Sequence, residues 1–180
     1  MELLVDVRTV PRSRRNPQFD AGSLAQALEE QGITYWQERA MGGFRRPRAG
    51  SRNTAWSHPS FQGYADHMMG PEFREALDRL QVMASDDTAC LMCAEAQWWR
   101  CHRRLIADAL TVRGWRVLHL GLAGEPDLHQ LTPFAMVRPD RVLLYPPPQG
   151  ELDLGGEDPE PADERRDAPD WSWPASRRST

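Results

Sequence analysis

Apolar residues fall into two patterns along this chain: short blocks of strand length, and longer stretches that repeat every three to four positions. Residues 3–7 form an apolar run broken only by Asp6, and RTVPRSRRNP follows with two prolines and four arginines, so a buried strand hands over to an irregular loop. DAGSLAQALEEQG then places Leu24, Ala27, Leu28 and Gln31 at helical spacing, with Ser23 as a candidate cap and Gly32 as a C-terminal stop. Residues 33–36 predict a second strand. From 37 to 60 the composition turns to Gly, Arg, Pro, Ser and Asn, too long for a plain connection, which implies a functional or mobile loop. FQGYADHMM and PEFREALDRLQVMA predict two helices, the second with Pro71 in its first turn. Residues 88–93 predict a strand, 101–113 a helix closed by Gly114, and 115–120 another strand, a unit whose natural solution is a right-handed parallel crossover. Residues 142–145 add an edge strand.

The fold class expected is therefore α/β, a three-layer and mostly parallel sheet with flanking helices, over residues 1–146. After Pro146 the chain becomes proline-rich and acidic without apolar periodicity, so 147–180 is expected to be a disordered tail. Trp171 and Trp173 stand out there, as a docking motif or as incidental residues.

Composition sharpens this picture. With 180 residues, 40% of them hydrophobic, the chain can bury one good core but not two. It has no apolar run of membrane-spanning length and no secretory signal at its start, which points to a cytoplasmic protein without a membrane segment. The three cysteines, Cys90, Cys93 and Cys101, lie within twelve residues, too odd and too clustered for a disulfide framework, so free thiols or ligands are expected. The net charge of -4 is unevenly spread: residues 151–180 hold nine acids and four arginines, leaving 17 acids and 18 arginines in 1–150. All 22 basic residues are arginine, as in a protein from a GC-rich genome. They still cluster, at Arg8, Arg12, Arg14 and Arg15 and at Arg45, Arg46, Arg48 and Arg52, two loops that qualify as anion sites.

The chemistry concentrates in LMCAEAQWWRCHRR. Ligands of open parallel sheets bind beyond the carboxyl ends of the strands. LLVDVR delivers Asp6 and Arg8 there, and CLMCAE delivers Cys93 and Glu95, so their loops are expected to share a crevice. Alternation sends Cys90 and Met92 to one face and Leu91 and Cys93 to the other, which makes Cys90 a core residue. Leu105, Ile106, Ala109, Leu110 and Val112 define the inward face of the next helix, and His102 falls on that face one turn earlier. His102 is then either a core histidine bonded to a carbonyl or a proton carrier near a thiol or carboxylate. A helix start favours a thiolate at Cys101 and attracts anions, and with Arg8, Arg100 and Arg103 it describes an anion pocket suited to phosphate. Trp98 and Trp99 either stack on a base or cover the corner. A metal site would need Cys93, Cys101 and His102 to converge with a fourth ligand such as His119 or Asp6. Adjacent positions on a helix diverge by about 100°, which argues against it, so no metal ligand is assigned.

LLVDVRTVPRSRRNPQFD, GITYWQERAMGG, FQGYADHM, LMCAEAQWWRCHRRLIADAL and LTPFA, in that order over roughly residues 3–146, resemble the bacterial and archaeal domain of unknown function 488 family. The resemblance implies a compact α/β domain with three signature segments: Asp6, Val7 and Arg8; Cys93, Ala94 and Glu95; Cys101, His102 and Arg103. It brings no activity and no cofactor. Family members open with a further strand and helix, so Met1 here lies almost on the second strand, and the strand at 3–7 is expected either to have an exposed edge or to follow a start further upstream.

Three functional readings follow. The first is an enzyme acting on a phosphate-bearing substrate, a nucleotide or nucleic acid. In it Glu95 is general acid or base, Cys93 or Cys101 the nucleophile, His102 a proton carrier and Asp6 a further catalytic group, while Arg8, Arg103, Arg14 and Arg15, with the helix start at Cys101, bind the anion. The second is a nucleotide- or nucleic-acid-binding module without chemistry, and the third a Cys/His redox or metal sensor. Oligomeric state is not legible in the sequence.

Overall fold

Strand β1, Leu3–Asp6, is buried at every position and forms the middle of a three-stranded parallel sheet, flanked by β2, Thr34–Gln37, and β3, Ala89–Met92. The computed structural model describes residues 1–85, 88–121 and 124–147. The register is unbroken on both sides: Leu3 pairs with Thr34 and Ala89, and Asp6 with Gln37 and Met92. The expected exposed edge at 3–7 is thus corrected, because β2 and β3 satisfy both ladders of β1.

Helix α1, Ala21–Glu29, connects β1 to β2, and α2, Pro59–Met68, with α3, Pro71–Met83, connects β2 to β3. Moving from β1 to β2 and then back across β1 to β3 with right-handed crossovers places α1 and the α2–α3 pair on opposite faces of the sheet. The α2–α3 face carries the main core. Leu3, Val5 and Val7 of the β1 segment pack there with Tyr64, Phe73, Leu77, Leu105 and Ile106, and Ala89, Leu91 and Cys93 join from the β3 segment. This is the odd-numbered set in both strands, as alternation in a pleated strand requires.

Helix α1 begins at Ala21, with Asp20 rather than Ser23 in the cap position, and Gly32 follows it at φ +68°, a conformation glycine adopts without strain. Helix α4 is Arg103–Val112, shorter at its start than the expected 101–113. After it the parallel pattern stops. The strand expected at 115–120 is reduced to β4, Leu118–His119, paired antiparallel with β5, Asp127–Leu128. The edge strand expected at 142–145 is β7, Leu143–Leu144, paired antiparallel with β6, Met136–Val137. The crossover after β3 therefore does not form, since β4 joins a separate ribbon.

The connection from 37 to 60 is tied down by buried Asp66, which accepts hydrogen bonds from the Arg48 amide at 2.8 Å and from Ser51 Oγ and Asn53 Nδ2 at 2.7 Å. Asn53 Oδ1 accepts in turn from the Tyr145 amide at 2.9 Å, fastening the end of the described chain to the same loop. Gly63 allows the loop to lie on α2: a Cβ there would meet the Arg45 carbonyl oxygen at 2.5 Å. The tail expected beyond 147, with Trp171 and Trp173, lies outside the described residues.

Candidate functional site

The chain order β2-β1-β3 reverses direction at β1, so a crevice is expected between the loops that leave β1 and β3. The loop after β3 runs from Cys93 through a 3-10 turn, Trp98–Arg100, to Cys101, and α4 starts immediately afterwards. Four of its residues meet: one ligand atom from each of Cys93, Glu95, Cys101 and His102 lies within 4.8 Å of all the others. Cys93 donates to Glu95 Oε2 at 2.5 Å, Cys101 to the same oxygen at 3.4 Å, and Cys101 Sγ lies 3.7 Å from His102 Nδ1. Cys101 is buried, Cys93 and His102 are half-buried and Glu95 is exposed, so the cluster opens to solvent on the Glu95 side.

The 100° divergence expected of neighbouring helical positions does not apply to Cys101 and His102. Cys101 is extended (φ -123°, ψ 149°) and ends the 3-10 turn, while His102 is the residue that caps α4. Both side chains therefore reach the same point. The fourth member is Glu95, not His119 or Asp6.

His102 is oriented from its far side. Its Nε2 lies 3.1 Å from the carbonyl oxygen of Val7, and a carbonyl can only accept, so the neutral ring carries its proton on Nε2 and turns the Nδ1 lone pair toward the cysteines. The Tyr64 ring packs on the imidazole at 4.9 Å, and Gly43 admits it closely, since a Cβ at that position would stand 3.0 Å from Nδ1. The carbonyl-bonded histidine and the functional histidine are thus the same residue, one nitrogen serving each role.

Arg103 braces the cluster. Its Nε donates to Cys101 Sγ at 3.4 Å, and its Nη2 donates to the Glu95 carbonyl oxygen. The Cys101 thiol is held well below its ordinary pKa, chiefly by its pairing with the Cys93 thiol, while burial pushes the other way. Cys93 is driven up by the same pairing and by burial, so the first proton to leave the pair leaves from Cys101.

Asp6 and Arg8 do not join this group. Register pairs Asp6 with Met92, so Asp6 faces the α1 side of the sheet while Cys93 faces the α2–α3 side. There Arg8 makes a two-pronged buried pair with Asp6, Nε to Oδ1 at 2.9 Å and Nη2 to Oδ2 at 2.6 Å, and Nη2 also donates to the Phe19 carbonyl. Tyr35 donates its hydroxyl to Asp6 at 2.7 Å; burial first, then Asp6, pushes the phenol up to about 12, so it stays protonated. The guanidinium of Arg8 is consumed in this closed cluster. Arg14 and Arg15 are exposed in the same loop and lie outside the Cys93 group. A crevice of about 630 Å³ opens on this side, lined among others by Thr9, Arg12, Gly22, Gln37 and Arg39.

Trp98 covers the corner. It stacks face to face on His119 at 3.5 Å, and His119 begins a buried chain: Nε2 to His129 Nδ1 at 2.7 Å, then His129 Nε2 to Asp108 Oδ1 at 2.9 Å. Of this chain only His119 is among the residues expected at the site, as a possible fourth ligand; the signal for the rest is Asp108, a carboxylate on the flank of the apolar face of α4 that is fully buried and so must find polar partners inside.

The class these features define is a small α/β domain with a parallel sheet and a Cys/Glu/Cys/His cluster at the strand ends. The family model for Domain of unknown function DUF488 matches residues 1–110, most of the chain, and the protein belongs to that family. The match takes in the sheet, α1 to α3, nearly all of α4 and every member of the cluster; the ribbons β4–β5 and β6–β7 lie beyond it. No curated protein and no solved structure matches the chain. Among the described residues no helix is long and apolar enough to cross a membrane.

Proposed function

We propose that the protein is a metal-binding member of its family, with a zinc-class divalent ion held by Cys93, Cys101 and His102 and with Glu95 as an exchangeable fourth ligand. The observation that carries this reading is the convergence of four ligand atoms within 4.8 Å. Ligand atoms about 2.0–2.3 Å from a tetrahedral ion stand about 3.3–3.8 Å apart. The 3.4 Å and 3.7 Å separations around Cys101 already match that spacing. Two thiolates and an imidazole are the donor set that suits a borderline-soft ion, and the bond from His102 to Val7 is the outer support such a ligand needs. The exposure of Glu95 favours an open, catalytic type of site over a closed structural one. An ion there would supply an activated water, and Glu95, released from the ion, would serve as its general base. Thiol ligands also fit a reducing, cytoplasmic setting.

The test is zinc uptake by the reduced full-length chain against a competing chelator. About one ion per chain is expected, with affinity lowered at least tenfold in Cys101→Ser and His102→Ala; equal affinity in wild type and both variants would sink the reading. A phosphate-bearing ligand is the second reading, and the crevice lined by Arg12 and Arg39 favours it. Nucleotide binding that weakens with salt and disappears in Arg12→Ala/Arg39→Ala is its expected signature; no binding at low salt would remove it.

A further inference from the structure

Cys93 and Cys101 present two sulfurs to one carboxylate oxygen, and both sulfur atoms lie within the 4.8 Å cluster. The pair has the features of a reacting dithiol. Cys101 sits against the Arg103 guanidinium, whose Nε points at Sγ from 3.4 Å, and Cys93 is half-exposed at the open side of the site. A thiol beside an arginine is activated toward peroxide, which would reach the buried Cys101 sulfur from the open Glu95 side, and a second thiol close by resolves the product before it oxidises further. The third cysteine, Cys90, points to the other face of β3 and is out of reach of both. The two sulfurs lie within 4.8 Å of each other, and rotation about each Cα–Cβ bond can bring them toward the roughly 2.05 Å of a disulfide. That loop has no regular structure between Cys93 and the 3-10 turn at Trp98, and its middle residues are exposed.

We propose that Cys93 and Cys101 form a peroxide-responsive disulfide, so that oxidation closes the site to metal. The consequence for metal rests on the reading above; the disulfide itself does not. In the first step Cys101 sulfur attacks one oxygen of hydrogen peroxide, the O–O bond breaks, and a sulfenic acid and water form. In the second, the Cys93 sulfur attacks the sulfenic sulfur, the S–O bond breaks and a second water leaves with the Cys93 proton. Two thiols lose two electrons in all, and the peroxide takes them. Both sulfur ligands are then tied to each other, leaving Glu95 and His102 alone to face the ion.

The experiment treats the reduced full-length protein, with and without zinc, with hydrogen peroxide, and follows intact mass, peptide maps and zinc release to a chromogenic chelator. The expected result is loss of two hydrogens, a cross-linked peptide joining Cys93 to Cys101, recovery with a dithiol, and zinc content falling from about one per chain to near zero. Cys90→Ser should behave as wild type, and Cys93→Ser should stop at a sulfenic acid trapped by dimedone. A bridge involving Cys90, or direct passage of Cys101 to sulfinic acid in the wild type, overturns the proposal and leaves the metal reading to its own titration. A Cys93–Cys101 bridge in a protein that takes up no zinc when reduced supports the disulfide and overturns the metal reading.

Discussion

Asp108 is the most exacting place to perturb this molecule, because one buried carboxylate holds the segment after α4 to the helix itself. It is fully buried and accepts three hydrogen bonds at 2.9 Å, from His129 Nε2, the Thr132 amide and the Tyr145 hydroxyl. Replacing it with alanine strands three donors. Each buried donor left without a partner costs about 1–3 kcal/mol. Since the Tyr145 hydroxyl and the His129 ring can turn, the lower half of that range applies, and Asp108→Ala should destabilise the fold by about 3–6 kcal/mol, a large part of the stability of a domain this size. Asp108→Asn keeps one acceptor oxygen for His129 and Thr132, and the Tyr145 hydroxyl can accept from the new amide, so its loss should be nearer 1 kcal/mol. Tyr145→Phe alone should cost about 1 kcal/mol, yet in the Asp108→Ala background it removes an orphaned hydroxyl and should be neutral or stabilising. Urea denaturation followed by far-ultraviolet circular dichroism measures all four. Equal stability of Asp108→Ala and wild type, or a strictly additive cycle, would refute the argument that this carboxylate is the anchor.

Other perturbations separate the parts of the account. His119 has its pKa pushed down from 6.5 to about 4 by burial first and then by His129; between those values the unfolded chain binds more protons, so stability should fall as pH drops through that window, by up to about 3 kcal/mol. His119→Gln should flatten this slope, and an unchanged slope would contradict the assignment. Arg8→Met leaves the Asp6 carboxylate buried without its cation and should destabilise by about 3–5 kcal/mol, while zinc uptake by the folded fraction stays at the wild-type level; lost uptake would mean that Arg8 serves the site after all. Gly43→Ala brings a methyl to 3.0 Å from His102 Nδ1 and should weaken metal binding with little change in stability, whereas Gly63→Ala meets backbone at 2.5 Å and should destabilise by more than 1 kcal/mol without acting on the metal selectively. The reverse ranking would show that His102 is not the oriented ligand described.

The parallel sheet was legible because β1, β2 and β3 are apolar blocks bounded by glycine, proline and arginine-rich loops, and α1 to α4 carry clear helical periods. The ribbons were not, since strands of two residues such as Leu118–His119 have no periodicity to detect and their pairing is decided by partners far along the chain. At the site, alternation correctly set Cys90 apart from Cys93. The same rule carried across the β1–β3 register puts Asp6 on the far face, but the register was not available from the sequence, so Asp6 and Arg8 were expected opposite the thiols. The helical divergence that argued against a metal failed at one residue: Cys101 is extended, and a boundary shift of two positions changed where its sulfur points.

Zinc K-edge X-ray absorption on the loaded protein tests the central claim most directly. The loaded site should show two sulfur neighbours at about 2.3 Å and two nitrogen or oxygen neighbours at about 2.0–2.1 Å, with one sulfur lost in Cys101→Ser. A shell of nitrogen and oxygen alone, or a protein that retains no zinc when reduced, would contradict it.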